Sequence, residues 1–378
     1  MVNSKLENNN FFIDALVCDE NNSKRSRSKN YEGNTSCTTT TRRKEKKHSV
    51  VAFTGHQQGE KKQAAATMST TAGIVGAETE ATEADVMCCA NCDIAGVDEI
   101  KLEECDGGCD LVKYCSDNCR ENHREQHEEE CKKRKAELHD RKVFTQPNET
   151  HLGECPLCFL PLPLERSKSG FYPCCSEIVC SGCVYANRKS GGGNRCPFCR
   201  EPVADDEEDF HKRLMKRIKA NDPAAFRHMA GKCYNEGGYV GSFKYYAKAA
   251  ELGDLDGHYH LGYMYHQGDG VEKDEVKAVY HLEMAAIGGH PVARHNLPCI
   301  EWENNRVERA VKHLIIAANL GYENSMKELW GHYSDGNITK DDLDATLRSH
   351  QAALDEMKSA QRDKAERARK NEGFALFE

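Results

Sequence analysis

The sequence lacks the features that define several large classes of protein. It contains no run of about 18 apolar residues, the length that a membrane-spanning helix needs, so we expect no contact with a membrane. Residues 1–10 are polar and lack the apolar core of a secretory signal. We therefore expect an intracellular protein, either cytoplasmic or nuclear.

Two further absences bear on function. Basic residues are not in excess, since the formal net charge is −9 and the pI is about 6.0, so we expect no direct nucleic-acid binding. No Ser-His-Asp arrangement, phosphate loop or acid pair is evident, so we expect no conventional metabolic catalysis. The basic clusters at 24–29 and 42–47 fit either a nuclear-localisation signal or a solvated tail.

Cysteine, in contrast, is abundant. The chain has 20 cysteines, and 16 of them lie between Cys88 and Cys199. Thiols stay reduced inside cells, so a cluster of this density indicates metal ligation rather than disulfides. The sequence therefore predicts zinc-binding modules in this region.

The first half of the cluster has the spacing of a double zinc site. Its ligands are Cys89, Cys92, Cys105, Cys109, Cys115, Cys119, His127 and Cys131. Zinc takes four thiolate or imidazole ligands in a tetrahedron, and residues at i and i+4 such as His127 and Cys131 share one helical face. Eight ligands close two sites without leaving a position for water, which is typical of structural rather than catalytic zinc.

These residues resemble the MYND finger family, through Tyr114-Cys115-Ser116 with Cys119 and through the final His-x3-Cys pair. The resemblance implies interleaved sites, with Cys89, Cys92, Cys115 and Cys119 on one zinc and Cys105, Cys109, His127 and Cys131 on the other. The chain departs from the family by one extra residue between Cys105 and Cys109, and by Arg124 where an aromatic is usual. These changes put the peptide-binding groove of some MYND fingers in doubt, and Cys88 is either an alternative ligand or a bystander.

The second half of the cluster resembles the RING finger family through its two Cys-Pro-x-Cys pairs. The family's cross-brace implies one zinc on Cys155, Cys158, Cys180 and Cys183, and a second on Cys196 and Cys199 with two more ligands. Glu177 stands where RING fingers have a histidine, two positions after Cys175. Either both adjacent cysteines bind the second zinc, which thiolate chemistry favours, or Cys175 does so together with Glu177 or with another nearby group. Four zinc ions are then expected, two in each finger.

The RING resemblance also implies a function. Ligases of this family position a ubiquitin-charged conjugating enzyme, which is catalysis by orientation without a nucleophile of their own. Leu157, Pro197 and Arg200 occupy the positions that dock that enzyme in active members. The same residues also stabilise knuckles in RING-like folds that only bind partners, so ligase activity and a non-catalytic adaptor both remain open.

Self-similarity begins after residue 221. The string Ala-Ala-x2-Gly occurs at Ala249, Ala285 and Ala317, at intervals of 36 and 32 residues. A second feature recurs with the same period. In it a small residue is followed four positions later by an apolar one, in the pairs Ala225/Met229, Gly257/Leu261, Ala293/Leu297 and Ser325/Leu329. The pattern predicts paired antiparallel helices with glycine at the end of each second helix, and it resembles Sel1-like repeats, relatives of the tetratricopeptide class.

The order of the three modules resembles that of multi-module proteins of diatoms and other protists. We expect a mostly α-helical chain in which two small zinc modules precede a helical solenoid whose surface binds client proteins. The expected organisation is a disordered tail (1–85), a MYND-like finger (86–135), a RING-like finger (150–203), a linker helix (206–220), Sel1-like repeats (221–350) and a solvated, charged C-terminal tail (351–378). Because Pro298 lacks a backbone N–H, we also expect a distorted first helix in the third repeat.

Overall fold

The computed structural model describes residues 88–93 and 101–372. The expected disordered tail, including both basic clusters, lies outside the described residues. The described part is mostly helical, as predicted, with twelve α-helices and two small two-stranded sheets. None of these helices is both long enough and apolar enough to cross a membrane.

The chain divides into two compact units, and the boundary falls between Glu128 and Glu129. The described part of the first unit contains an antiparallel hairpin, β1 (Glu103–Glu104) and β2 (Lys113–Tyr114), and the start of helix α1 (Asp117–Val143). Helix α1 carries an acidic residue in its first turn and basic residues in its last, which is the favourable arrangement in the field of the helix dipole.

The second unit begins with the remainder of α1 and continues into the RING-like region. This region holds the antiparallel strands β3 (Ser169–Tyr172) and β4 (Glu177–Cys180), followed directly by helix α2 (Ser181–Lys189). Leu162, Val179 and Val184 form a small apolar core with the surrounding cysteines. So small a core offsets only part of the chain entropy of the region, which agrees with the metal ligands predicted there.

Ten more helices follow. They are α3 (Glu207–Lys219), α4 (Pro223–Asn235), α5 (Tyr239–Glu251), α6 (Leu255–Gln267), α7 (Glu275–Ile287), α8 (Pro291–Glu303), α9 (Val307–Asn319), α10 (Glu323–Ser334), α11 (Lys340–Glu356) and α12 (Ala360–Glu372). Consecutive helices from α4 to α11 pack against each other, which gives the predicted solenoid of helical pairs.

The two periodic features of the sequence fall on alternate helices. The small/apolar pairs lie on the first helix of each pair (α4, α6, α8 and α10), and the Ala-Ala strings lie on the second (α5, α7 and α9). The residues of the pairs and the alanines of the strings are buried. Each string ends at a glycine with a positive φ, +90° at Gly253, +84° at Gly289 and +86° at Gly321. The predicted glycine stops are therefore confirmed, because a left-handed residue closes the helix there.

Gly257 shows why one helix of each pair carries small residues. A Cβ atom at this position would lie 2.9 Å from the backbone nitrogen of Ala250 and 3.1 Å from the Cβ of Ala249. Helices α5 and α6 thus approach each other almost backbone to backbone at this point. Any larger residue would force the pair apart.

Two expectations prove wrong. Helix α8 runs unbroken from Pro291 to Glu303 with Pro298 inside it, because a proline removes one hydrogen bond and the buried neighbours of this helix hold the rest of the ladder. Residues 360–372 of the expected solvated tail instead form a packed helix, since Ala365 and Ala368 on α12 are buried. Composition could not reveal this packing, because the apolar face of α12 consists only of alanines and the stems of long polar side chains.

Residues 139–151, which connect α1 to the RING-like region, lie along the repeats. Arg309 Nη1 is 2.5 Å from a carboxylate oxygen of Asp140, and the rings of Phe144 and His313 are 4.8 Å apart. The backbone N–H of His151 donates to a carbonyl oxygen of the α7–α8 turn at 3.1 Å. This connecting segment is therefore a packed part of the second unit.

Candidate metal centres

The sixteen predicted ligands form four groups of four. The groups are Cys89, Cys92, Cys115 and Cys119; Cys105, Cys109, His127 and Cys131; Cys155, Cys158, Cys180 and Cys183; and Cys174, Cys175, Cys196 and Cys199. Within each group the ligand atoms all lie within 4.8 Å of one another. Both interleaved pairings implied by the sequence resemblances are therefore present in space.

The ligands of the first group come from three short elements. Cys89 and Cys92 lie on a tight turn closed by the bond from Asp93 N–H to the Cys89 carbonyl, 2.9 Å. Cys115 follows β2, and Cys119 lies in the first turn of α1. Burial raises the pKa of the Cys89 thiol, but backbone N–H groups, foremost that of Asn91, outweigh it and lower the pKa to about 6. The turn therefore favours the thiolate, the form that binds zinc.

The second group combines the loop between β1 and β2 with helix α1. Cys105 and Cys109 lie in that loop, and Cys109 Sγ is 3.0 Å from His127 Nε2. His127 is buried and Cys131 follows it one helical turn later. The His ring and the second thiol thus share one face of α1, as i and i+4 residues must.

The two groups of the RING-like region cross over one another. The first Cys-Pro-x-Cys pair shares its group with Cys180 and Cys183, which flank the end of β4 and the first turn of α2. The last such pair shares its group with Cys174 and Cys175, which lie in the turn between β3 and β4. This is the topology of a cross-brace, in which each metal fixes two separated segments.

The two Cys-Pro-x-Cys segments have the same conformation. In Cys155–Pro161 and Cys196–Pro202, the residue after the second cysteine (Phe159 or Arg200) has a φ of +55° or +67°. Its N–H donates to the carbonyl of the first cysteine at 2.9 or 3.0 Å. A non-glycine residue is rarely left-handed, so the shared strain indicates that both knuckles are built for the same ligand geometry.

The spacing of the sulfur atoms tests whether zinc fits. Six sulfur–sulfur distances within these groups lie between 3.3 and 3.9 Å. A tetrahedron with Zn–S bonds of about 2.3 Å has edges of about 3.8 Å. The cysteine groups therefore fit tetrahedral zinc, and no position in them is left for water.

The sulfur atoms of the adjacent residues Cys174 and Cys175 lie next to different members of the same group. Cys174 Sγ is 3.3 Å from Cys199 Sγ, whereas Cys175 Sγ is 3.7 Å from Cys196 Sγ. The following Ser176 has a φ of +63°, which tightens the turn so that both sulfurs reach one group. Glu177, the alternative ligand, lies in β4 opposite Tyr172 and is not in that group.

Comparison with known families assigns two of the three modules. The MYND finger family matches residues 89–131, and the Sel1 repeat family matches residues 224–254, 255–290 and 305–322. The chain contains a MYND finger followed by Sel1 repeats. The MYND match and the cysteine groups together indicate zinc binding.

Two solved structures are among those to which this chain is similar. A Sel1 repeat protein from Oxalobacter formigenes is 27% identical over 46% of this chain and 71% of its own, with a TM-score of 0.36. The protective antigen c5321, present in uropathogenic Escherichia coli strains and displaying an SLR fold, is 18% identical over 52% of this chain and 49% of its own, with a TM-score of 0.35. This chain thus spans about half of the length of c5321. No curated protein matches the chain.

The three docking residues predicted from the RING resemblance differ in exposure. Leu157 is 38% exposed at the tip of the first knuckle, and its counterpart Phe198 is 43% exposed at the tip of the second. Pro197 is buried, and Arg200 is exposed with Nη1 2.6 Å from the side-chain oxygen of Asn187 on α2. The two matching knuckles thus present apolar tips, and a polar contact ties the second to α2.

A fifth cluster was not predicted from the sequence. His290 Nε2 and His151 Nε2 lie 3.3 and 3.5 Å from the same carboxylate oxygen of Asp256. His290 Nδ1 accepts the N–H of Ala293, so Nε2 carries the proton of the neutral ring and has no lone pair for a metal. Burial raises the pKa of Asp256, but Arg227 above all holds it well below its usual value. The cluster is therefore a buried carboxylate with cationic and N–H partners rather than a metal site.

Proposed function

We propose that the RING-like module positions a ubiquitin-charged conjugating enzyme and that the Sel1 repeats recruit the substrate. The observation that supports the proposal best is the pair of matching knuckles, whose apolar tips Leu157 and Phe198 are both exposed. A conjugating enzyme needs an apolar docking surface of fixed shape, and two metal-closed knuckles provide one.

The chemistry belongs to the conjugating enzyme. It brings the thioester, and the substrate lysine is the nucleophile; the module's contribution is to hold the thioester in a reactive orientation. Four zinc ions, two in each finger, would hold the loops in place and take no part in the reaction. This division of labour agrees with four closed ligand groups that leave no open coordination position.

A non-catalytic adaptor is the second candidate. Two observations favour it: Pro197 is buried, and the guanidinium of Arg200 is already engaged by Asn187. In that case the MYND finger, the RING-like module and the repeats each bind a protein, and no ubiquitin is transferred. Protein–protein interaction is common to both candidates and is the role for which MYND fingers and Sel1 repeats are generally used.

Ubiquitin transfer by the zinc-loaded full chain separates the two candidates. We expect chain formation with at least one member of a panel of conjugating enzymes, and a loss of at least 10-fold in Leu157→Ala. Val276→Ala, which shortens a highly exposed side chain on α7, is the matched control and should keep full activity. Zinc content is measured for all three proteins. No transfer across the panel by fully zinc-loaded protein would reject the ligase and leave the adaptor.

A further inference from the structure

Helix α12 returns to the RING-like module from the far end of the chain. Gln361 Nε2 donates to the carbonyl of Gly182 at 3.0 Å. A Cβ atom at Gly182 would lie 2.9 Å from both the backbone nitrogen and the Cγ of Arg362. Gly182 lies between the ligands Cys180 and Cys183, so the closest approach of α12 falls directly on one metal group.

Arg362 extends from this contact into the first knuckle. Its Nη1 donates to the carbonyls of Pro161 and Met357, both at 2.7 Å, and its Nη2 donates to the carbonyl of Leu160 at 3.2 Å. The same Nη2 is 3.7 Å from Cys158 Sγ. The guanidinium therefore binds the backbone carbonyls and one sulfur of the knuckle, whereas the apolar tip, Leu157, is exposed.

The side-chain partners of Arg362 include one of the predicted metal ligands. The residue is only 7% exposed, and its hydrogen bonds within the described part of the chain go to carbonyls and a sulfur rather than to a carboxylate. The sulfur of Cys158 carries a negative charge as a thiolate, and the guanidinium lies directly beside it.

The charge of the metal group completes the argument. Four thiolates around one zinc ion carry a formal charge of about −2, which a guanidinium beside them partly neutralises. Outer-shell groups of this kind orient the ligands and increase metal affinity. We propose that Arg362 is the outer-shell partner of the zinc site at Cys155, Cys158, Cys180 and Cys183, and that docking of α12 is linked to zinc at this site.

Linkage works in both directions. If zinc favours docking of the helix, docking must favour zinc by the same free energy. Loss of zinc from this site therefore releases α12, and loss of the Arg362 contact makes this zinc more labile. The RING-like module is then completed by a helix that lies beyond the whole repeat array.

The first test compares zinc release from the full chain, with Arg362→Ala beside Arg369→Ala. Arg369 lies on the same helix, is partly exposed and pairs with Glu366 in the same turn, so its removal leaves the contacts of Arg362 with the knuckle in place. With a chelating dye in excess, we expect one zinc equivalent to leave Arg362→Ala about 10-fold to 100-fold faster than from the control. Equal release from both variants would overturn the proposal.

The second test measures the protection of helix α12 from hydrogen exchange instead of the release of zinc. Hydrogen exchange of residues 360–372 is followed in the zinc-loaded protein and after chelation, with α9 as the internal reference. We expect exchange of α12 to accelerate on zinc removal and in zinc-loaded Arg362→Ala, while α9 stays protected. Arg362→Lys, which keeps the charge but loses the forked donor, should be intermediate and guards against misfolding of the alanine variant. An α12 that stays protected after zinc removal would refute the linkage.

Discussion

Arg294 on α8 donates a hydrogen bond of 2.7 Å to the carbonyl of Val143, the last residue of α1. A second bond of 2.7 Å goes from the same guanidinium to the carbonyl of Ala286 on α7. Arg294 is fully buried, and burial lowers its pKa to about 10, so it remains a cation at neutral pH. One side chain thus joins the C-terminal end of α1 to two helices of the repeats, at the negative end of the α1 dipole.

Replacement of Arg294 by methionine should therefore destabilise the chain by about 2–4 kcal/mol, because two buried carbonyls lose their donor. Urea unfolding followed by the helical circular dichroism signal measures the change. Arg348→Met on the exposed face of α11 is the control and should change the free energy of unfolding by less than about 0.5 kcal/mol. A loss as small as that of the control would show that the bond to Val143 contributes little.

Gly257 and Gly241 give a matched pair of helical glycines. Gly257→Ala should destabilise the protein by about 1–3 kcal/mol, because its methyl group would collide with the backbone of α5. Gly241→Ala meets nothing within 4 Å and should stabilise by about 0.5–1 kcal/mol, because alanine has the higher helix propensity. Thermal unfolding of both variants under identical zinc loading measures the two signs. Equal effects would contradict the close approach of α5 and α6.

The zinc content of single variants distinguishes the roles of the adjacent residues Cys174 and Cys175. We expect Cys174→Ser and Cys175→Ser each to lose about one zinc equivalent or to bind it much more weakly, because both sulfurs face the group that contains Cys196 and Cys199. Cys88→Ser is the control, since Cys88 belongs to none of the four groups. Full zinc retention in Cys175→Ser would show that only one of the two neighbours is a ligand.

Buried histidines make the repeats sensitive to acid. His260 stacks on Tyr246 with ring centroids 4.4 Å apart, and burial, with a smaller effect of Arg166, lowers its pKa to about 3. The unfolded chain binds a proton near pH 6.5 and the folded chain does not, so stability is lost as pH falls from about 6.5 towards 3.

The substitution His260→Phe keeps the aromatic stacking on Tyr246 and removes the group that binds this proton in the unfolded chain. The difference in unfolding free energy between wild type and variant should shift by about 1 kcal/mol in favour of the variant between pH 7 and 5.5. Protonation of the zinc ligands affects both proteins and cancels in the difference. A difference that does not change with pH would mean that the ring is accessible to protons in the folded state.

Local signals explain what the sequence could predict. Glycine after each Ala-Ala string and the cysteine spacings depend on a few neighbouring positions, so they reveal helix ends and ligand sets directly. The contacts of Arg294 and Arg362 join residues 151 and about 200 positions apart. Neither arginine belongs to a recognisable pattern in its own segment. Its contacts depend on which distant segments the fold places next to it.

Histidine shows the same limit. Histidine is frequent in the repeats, yet the cluster at Asp256 depends on His151, which lies in the connecting segment before the first RING-like cysteine. Proline at position 298 misled for the opposite reason: a strong local signal was overridden by burial on all sides of α8. Packing decides both cases, and packing is not a property of short segments.

Because α12 packs against the first knuckle, the contact between them can form only late in the synthesis of the chain. The last RING-like cysteine, Cys199, precedes Arg362 by more than 150 positions. At about 5–20 residues per second, a ribosome needs on the order of 10 to 30 seconds to cover that distance. Throughout this interval the nascent knuckle lacks the contact with Arg362, because α12 has not yet been synthesised.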